Sequence, residues 1–134
     1  REPLSGQDAV CPVRPDSAMA CLSPRQAVAA LLRAAELPAD ALGQARAILL
    51  PGIRVTAGEM AAAVERLGRG RPLGRIHWQP DPAIQAIVDF WPGATYSARA
   101  AALGFTADPS IDAIVDAFIA DDLAAQIRSL EKSA

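Results

Sequence analysis

Residues 92–111 constrain the fold of this chain more than any other stretch. Pro92-Gly93-Ala94-Thr95-Tyr96 reads as a turn, Ser97 caps a short helix, and Gly104 takes the left-handed conformation that ends it. Asp108-Pro109 then supplies a cap with proline at the first position of a second helix, over 109–122. Phe105 falls on the linker between the two helices. With Trp91 upstream and Ile111, Ile114, Val115 and Phe118 downstream, it is expected to gather an apolar cluster on which the C-terminal half packs. These features specify packing, not a reaction.

The same punctuation recurs along the chain. Ser23-Pro24 starts a helix with Val28, Leu31, Leu32 and Ala35 on one face, ending near Glu36 because Pro38 follows. Residues 39–43 add one short turn. Thr56 with Glu59 makes a capping box for a helix over 57–67, whose inward stripe is Met60, Ala61, Val64 and Leu67 and whose end is marked by Gly68 and Gly70. Asp81-Pro82 repeats the cap-plus-proline signal before a helix with Ile84, Ile87, Val88 and Trp91 on one face, and Pro92 stops it. Leu123, Ile127 and Leu130 extend the last helix.

Extended structure is scarcer. Residues 9–13 make at most an edge strand, closed by Pro12 and Pro15. Residues 14–22 read as a loop. Arg46-Ala47-Ile48-Leu49-Leu50 has little alternation and suits a strand buried on both faces, continued by Ile53 and Val55. Residues 75–79 alternate, with Ile76 and Trp78 pointing one way and His77 the other. Half of the 134 residues (51%) are apolar but only 4% are aromatic, and much of the apolar share is alanine. Alanine favours helix and fills little volume, so an α/β domain, helix-rich with few short strands and thin layers, is expected.

The chemistry is sparse. Thirteen basic and 15 acidic residues are mixed along the sequence for a net charge of −2, which leaves no basic stripe for nucleic acid. No run approaches the roughly 20 apolar residues of a membrane span, so a soluble, cytoplasmic protein is expected. Cys11 and Cys21 have neither CxxC spacing nor companion histidines and read as reduced core residues. His77 is the only histidine and reads as a surface group. Asp81 reads as a cap, and Asp121-Asp122 as a solvated acidic rim, with nothing beside them to complete a metal shell. Arg99, beside Tyr96, is placed to bind a carboxylate or to pair with Asp108 or Asp112. Trp78 and Trp91 are placed to wall a ligand cleft. Trp78, Trp91 and Arg99 are therefore the candidate substrate-binding residues, and no residue is nominated as catalytic, cofactor-binding or metal-ligating.

Several segments together resemble a family. They are Arg1-Glu2-Pro3-Leu4-x-Gly6-Gln7-x-Ala9-Val10-Cys11-Pro12-Val13, Ser23-Pro24-Arg25-x-Ala27-Val28, and Leu50-Pro51-Gly52-x-x-Val55-Thr56 with Glu59-Met60. Asp81-Pro82-x-Ile84-x-x-Ile87-Val88-x-x-Trp91-Pro92 and Arg99-Ala100-x-x-Leu103-Gly104-Phe105 complete the set. In this order they resemble the C-terminal part of extended short-chain dehydrogenases, the NAD-dependent epimerase/dehydratase family, on a branch that acts on sugar acids. The chain starts at Arg1, and a piece of a longer protein is expected.

The resemblance implies a two-part parent enzyme. A Rossmann-like N-terminal domain would carry NAD or NADP together with the catalytic serine, tyrosine and lysine, so this chain alone would be inert. Residues 23–67 would pack on that domain, with the helix from Pro24 and the strand at 47–50 returning to its parallel sheet. Residues 1–22 and 74–134 would form the substrate lobe. Where relatives acting on nucleotide sugars usually carry a diphosphate-binding arginine after the strand at 75–79, this chain has Pro80-Asp81-Pro82. That departure points to a smaller sugar-acid substrate. A sugar epimerase or dehydratase is the neighbouring alternative. A non-catalytic helical interaction domain, using the apolar faces of 24–35 and 47–50 for a partner or a second copy, is the alternative from another class.

Overall fold

The computed structural model describes residues 1–132. At the start, a 3-10 turn over Pro3–Ser5 ends at Gly6. Strand β1 (Ala9–Cys11) then runs parallel to β4 (Ile76–Trp78), with Ala9 opposite Ile76 and Cys11 opposite Trp78. A glycine sets this pairing. The Gly74 N–H donates to the Pro3 carbonyl, and any side chain at Gly74 would overlap the Gln7 backbone.

Strand β2 (Ala18–Cys21) pairs antiparallel with β3 (Ile53–Thr56), Ala18 opposite Thr56 and Cys21 opposite Ile53. This corrects the reading of 14–22 as a loop. Ala18-Met19-Ala20-Cys21 carries no β-branched residue, so its extended form comes from its partner strand rather than from its own preference. Residues 46–50, expected as a doubly buried strand, are instead irregular, and Leu49 is 59% exposed. A strand needs hydrogen-bonding neighbours on its edges, and among the described residues none lies alongside.

The helix starts follow the caps. Ser23 Oγ accepts the Gln26 N–H at the head of α1 (Pro24–Glu36), and Thr56 and Glu59 complete a reciprocal capping box on α2 (Ala57–Leu67). Asp81 accepts the Ala83 and Ile84 N–H groups of α3 (Pro82–Val88), and Ser97 caps α4 (Ala98–Ala102). Gly104, at φ 83°, ends that helix in the left-handed region. The next helix begins later than expected. Ser110, not Asp108, caps α5 (Ile111–Asp121), because the Asp108 carboxylate is turned inward onto Ser23. Leu123–Glu131 forms a separate α6, not a continuation, since the chain breaks at Asp122.

The core is small and lies between α2, α5 and α6. Leu4, Ala63, Val64, Val115 and Leu123 form its buried centre, with Leu67, Ile111 and Phe118 packed against it. A second cluster joins Val13, Ala57 and Val88. Phe105 is buried but belongs to neither cluster, and Trp91 is 52% exposed, so neither takes the place expected of it at the centre of the C-terminal core. On α3, Val88 and Gln85 turn inward, whereas Ile84 and Ile87 of the expected apolar face stay exposed. The face of α1 expected to pack is also exposed: α1 buries no residue, and Leu31 is 71% exposed.

Candidate functional site

The β1/β4 pair and α2 enclose a cleft of about 260 Å3, lined by Val10, Cys11, Met19, Met60, Ile76 and Trp78, with Arg1 and Glu2 at its edge. Its walls come from the consecutive residues 9–13, from Ile76 and Trp78 alternating on β4, and from the face of α2 that continues the core. The lining is nearly all apolar. It can hold a hydrocarbon surface but supplies no acid–base pair or nucleophile beyond the Cys11 thiol. A second depression, of about 330 Å3, lies between β3, α2 and the start of α5, where Arg54, Glu59, Arg66 and Ser110 meet. There Arg66 pairs with Asp112, and Glu59 accepts the Thr56 N–H at 2.7 Å. That amide bond is the main cause holding the Glu59 carboxyl below its ordinary range.

A dinucleotide pyrophosphate needs free amide donors at a glycine-rich helix start. At two of the helix starts these amides are already taken. At α2, Ala57 N–H donates to the Ser17 carbonyl, Gly58 N–H to the Pro15 carbonyl and Glu59 N–H to Thr56 Oγ1. At α3, Asp81 takes the first two amides after Pro82. The starts of α2 and α3 therefore present no free amides for a pyrophosphate. Among the described residues, no group of three or more His, Cys, Asp or Glu side chains could hold a metal ion. No helix among them is long and apolar enough to cross a membrane.

The three residues singled out from the sequence are not brought together. Trp78 lines the first cleft. Trp91 lies outside it, at the corner where 92–95 crosses the β2/β3 ribbon: the Ala20 N–H donates to the Pro92 carbonyl, and Gly52 bridges Thr95. Arg99 pairs with neither Asp108 nor Asp112. Its guanidinium donates to the carbonyls of Leu42, Ala45 and Ala47 and so ties the segment before β3 to α4. Asp121 forms a bidentate pair with Arg25, which holds its carboxyl below the usual range. His77 is exposed, and its Nε2 lies 3.0 Å from Asp8. That contact, with the Arg75 N–H, lowers the Asp8 carboxyl. Cys11 and Cys21 are both free thiols, and burial pushes Cys21 up.

Other polar residues that shape the surface gave little signal in the sequence. Gln85, 6% exposed, accepts the Arg14 N–H at 2.8 Å and donates to Ser17 Oγ and to Asp89, fixing the loop between β1 and β2. It follows Ile84, so helical spacing marked it as no more than a neighbour of the apolar face. Arg54 projects from β3 beside the Trp91 corner, and an arginine inside a short strand carries no motif.

No protein-family model matches the chain. Among solved structures, the nucleoside-diphosphate-sugar epimerase from Agrobacterium tumefaciens is similar with a TM-score of 0.84 at 33% identity, over 92% of this chain and 36% of that one. The fold is thus that of the C-terminal portion of an extended short-chain dehydrogenase, of the epimerase/dehydratase kind. The D-erythronate dehydrogenase of Cupriavidus necator is 43% identical over 121 residues, covering 90% of this chain and 37% of the relative. That of Haemophilus influenzae is 35% identical over 123 residues, covering 92% and 39%. In sequence, then, the chain matches the C-terminal part of D-erythronate dehydrogenase, and it spans well under half the length of these curated relatives.

Proposed function

We propose that this chain is the substrate-side part of an NAD(P)-dependent oxidoreductase that oxidises a secondary alcohol of a small sugar acid. The observation that carries this reading is the 43% identity to a D-erythronate dehydrogenase over 90% of the chain. The cofactor and the groups that move the proton and hydride belong to an N-terminal Rossmann domain of the same protein. Residues 23–67 pack on that domain, while 1–22 and 74–134 form the lobe that closes over the substrate and excludes water. Two features support the division. A 13-residue helix that buries none of its residues is in need of a cover, and so is an apolar segment at 46–50 with no strand beside it. Trp78, in the first cleft, and Trp91, at the separate 92–95 corner, are the aromatic surfaces this chain offers, and Arg99 contributes by holding the segment before β3.

The full-length protein is expected to reduce NAD or NADP with D-erythronate, and the isolated chain to bind neither nucleotide by calorimetry. Failure of the full-length protein to oxidise any sugar acid sinks the reading. A second reading, a nucleotide-sugar epimerase, is favoured by the 0.84 similarity to such an enzyme. Its expected outcome is interconversion of a nucleotide sugar without net nicotinamide reduction, followed by product chromatography.

A further inference from the structure

An oxidoreductase for a sugar acid needs a cation for the carboxylate, and the proposed function leaves open which residue provides it. Arg14, Arg99, Arg66 and Arg54 differ in how far their charges are already engaged. Arg14 is paired with both Asp16 and Asp89. Arg99 is committed to three carbonyls, and Arg66 to Asp112. The Arg54 guanidinium makes no hydrogen bond or ion pair with any described residue, although it also borders the second depression, with Glu59 and Arg66. Its place is defined all the same. Arg54 sits opposite Ala20 on the ribbon, and a Cβ built on Gly93 would lie 4.0 Å from the Arg54 Nε. The guanidinium stem therefore runs along the turn that follows Trp91 and Pro92.

Small neighbours keep the approach open. Ala18 and Ala20 flank Arg54 on the same face of the ribbon, and Gly93 adds no side chain above it. Glu59, which shares the second depression with Arg54, is held by the Thr56 N–H. A guanidinium with its fork free matches a carboxylate with two parallel hydrogen bonds. Resting on the sugar-acid reading above, we propose that Arg54 receives the substrate carboxylate where the segment 23–67, which packs on the Rossmann domain, meets the Pro92-Gly93 turn of the substrate lobe.

The test uses the full-length enzyme with three proteins: wild type, Arg54→Gln and Arg54→Lys. Each is assayed with D-erythronate and with the corresponding neutral polyol, erythritol. A charge-assisted bidentate contact predicts a rise in KM for the acid of roughly tenfold or more in Arg54→Gln, with kcat little changed. Partial recovery is expected in Arg54→Lys, and equal turnover of the neutral polyol by all three. Because Arg54 is exposed, thermal melts of the variants should coincide with wild type. An unchanged KM for the acid in Arg54→Gln overturns the assignment while leaving the sugar-acid reading intact. An equal loss on acid and polyol overturns it too, by showing a general effect on the site. If wild type oxidises no sugar acid, the reading beneath the assignment falls and takes the assignment with it.

Discussion

Asp108 shows how a single carboxylate can be drawn away from its local role. Its sequence setting, Asp before Pro, marks a helix cap, yet it is 6% exposed and accepts the Ser23 N–H and Oγ–H, each at 2.7 Å. It thereby caps α1 through Ser23, which itself caps Gln26. Asp108→Ala should leave Ser23 buried without its partner and destabilise the protein by about 2 kcal/mol, read from urea unfolding. A change below a few tenths would mean that water replaces the carboxylate. No local pattern reveals a partner 85 positions away, so the caps made by nearby residues (Ser23, Thr56, Asp81, Ser97) were legible and this one was not. Acid titration gives a second outcome at this scale. Asp8, Glu59 and Asp121 all have carboxyls lowered in the folded protein, by His77, by Thr56 and by Arg25 in turn. Lowered carboxyls contribute stability above the ordinary carboxylate range of about pH 4 and lose it as pH falls through their folded values. Unfolding midpoints should therefore drop below about pH 4, and Arg25→Ala should remove the share owed to Asp121.

Between elements, the β1/β4 pair depends on one close approach. Gly74→Ala places a methyl group into the Gln7 backbone, and about 2 kcal/mol or more of destabilisation is expected, with loss of the Trp78 fluorescence environment. Strand β4 was readable because Ile76 and Trp78 alternate with His77; β2 was not, because its extended form depends on β3. Helix α1 is the other informative element. It is held by polar clasps, Arg25 to Asp121, Gln26 to Thr106 and Ala107, and Arg33 to the Leu103 carbonyl, while Val28, Leu31 and Leu32 face outward. If an N-terminal domain covers this face, amide exchange in α1 and in 46–50 should be much slower in the full-length protein than in the isolated chain. Equal rates in the two forms would leave the division at 23–67 without support.

For the molecule as a whole, the two buried clusters are small for 134 residues, and the large apolar side chains left exposed include Leu31, Leu32, Leu49, Ile87, Phe90 and Trp91. A surface of that kind favours association. The isolated chain is expected to sediment with concentration-dependent mass, and Leu31→Glu with Leu32→Glu should restore a monomer; a wild-type chain that stays monomeric at every concentration would contradict this. The fold class was legible because caps, prolines and glycines mark the element ends. The candidate site was less legible because the walls of its first cleft come from β1, β4 and α2, which only the folded chain brings together.

The three carbonyls gathered by Arg99 make α4 and the segment 42–47 a single mechanical part, although more than 50 residues separate them along the chain. A planar guanidinium tolerates little play, so a tilt of α4 is transmitted as a pull on that segment.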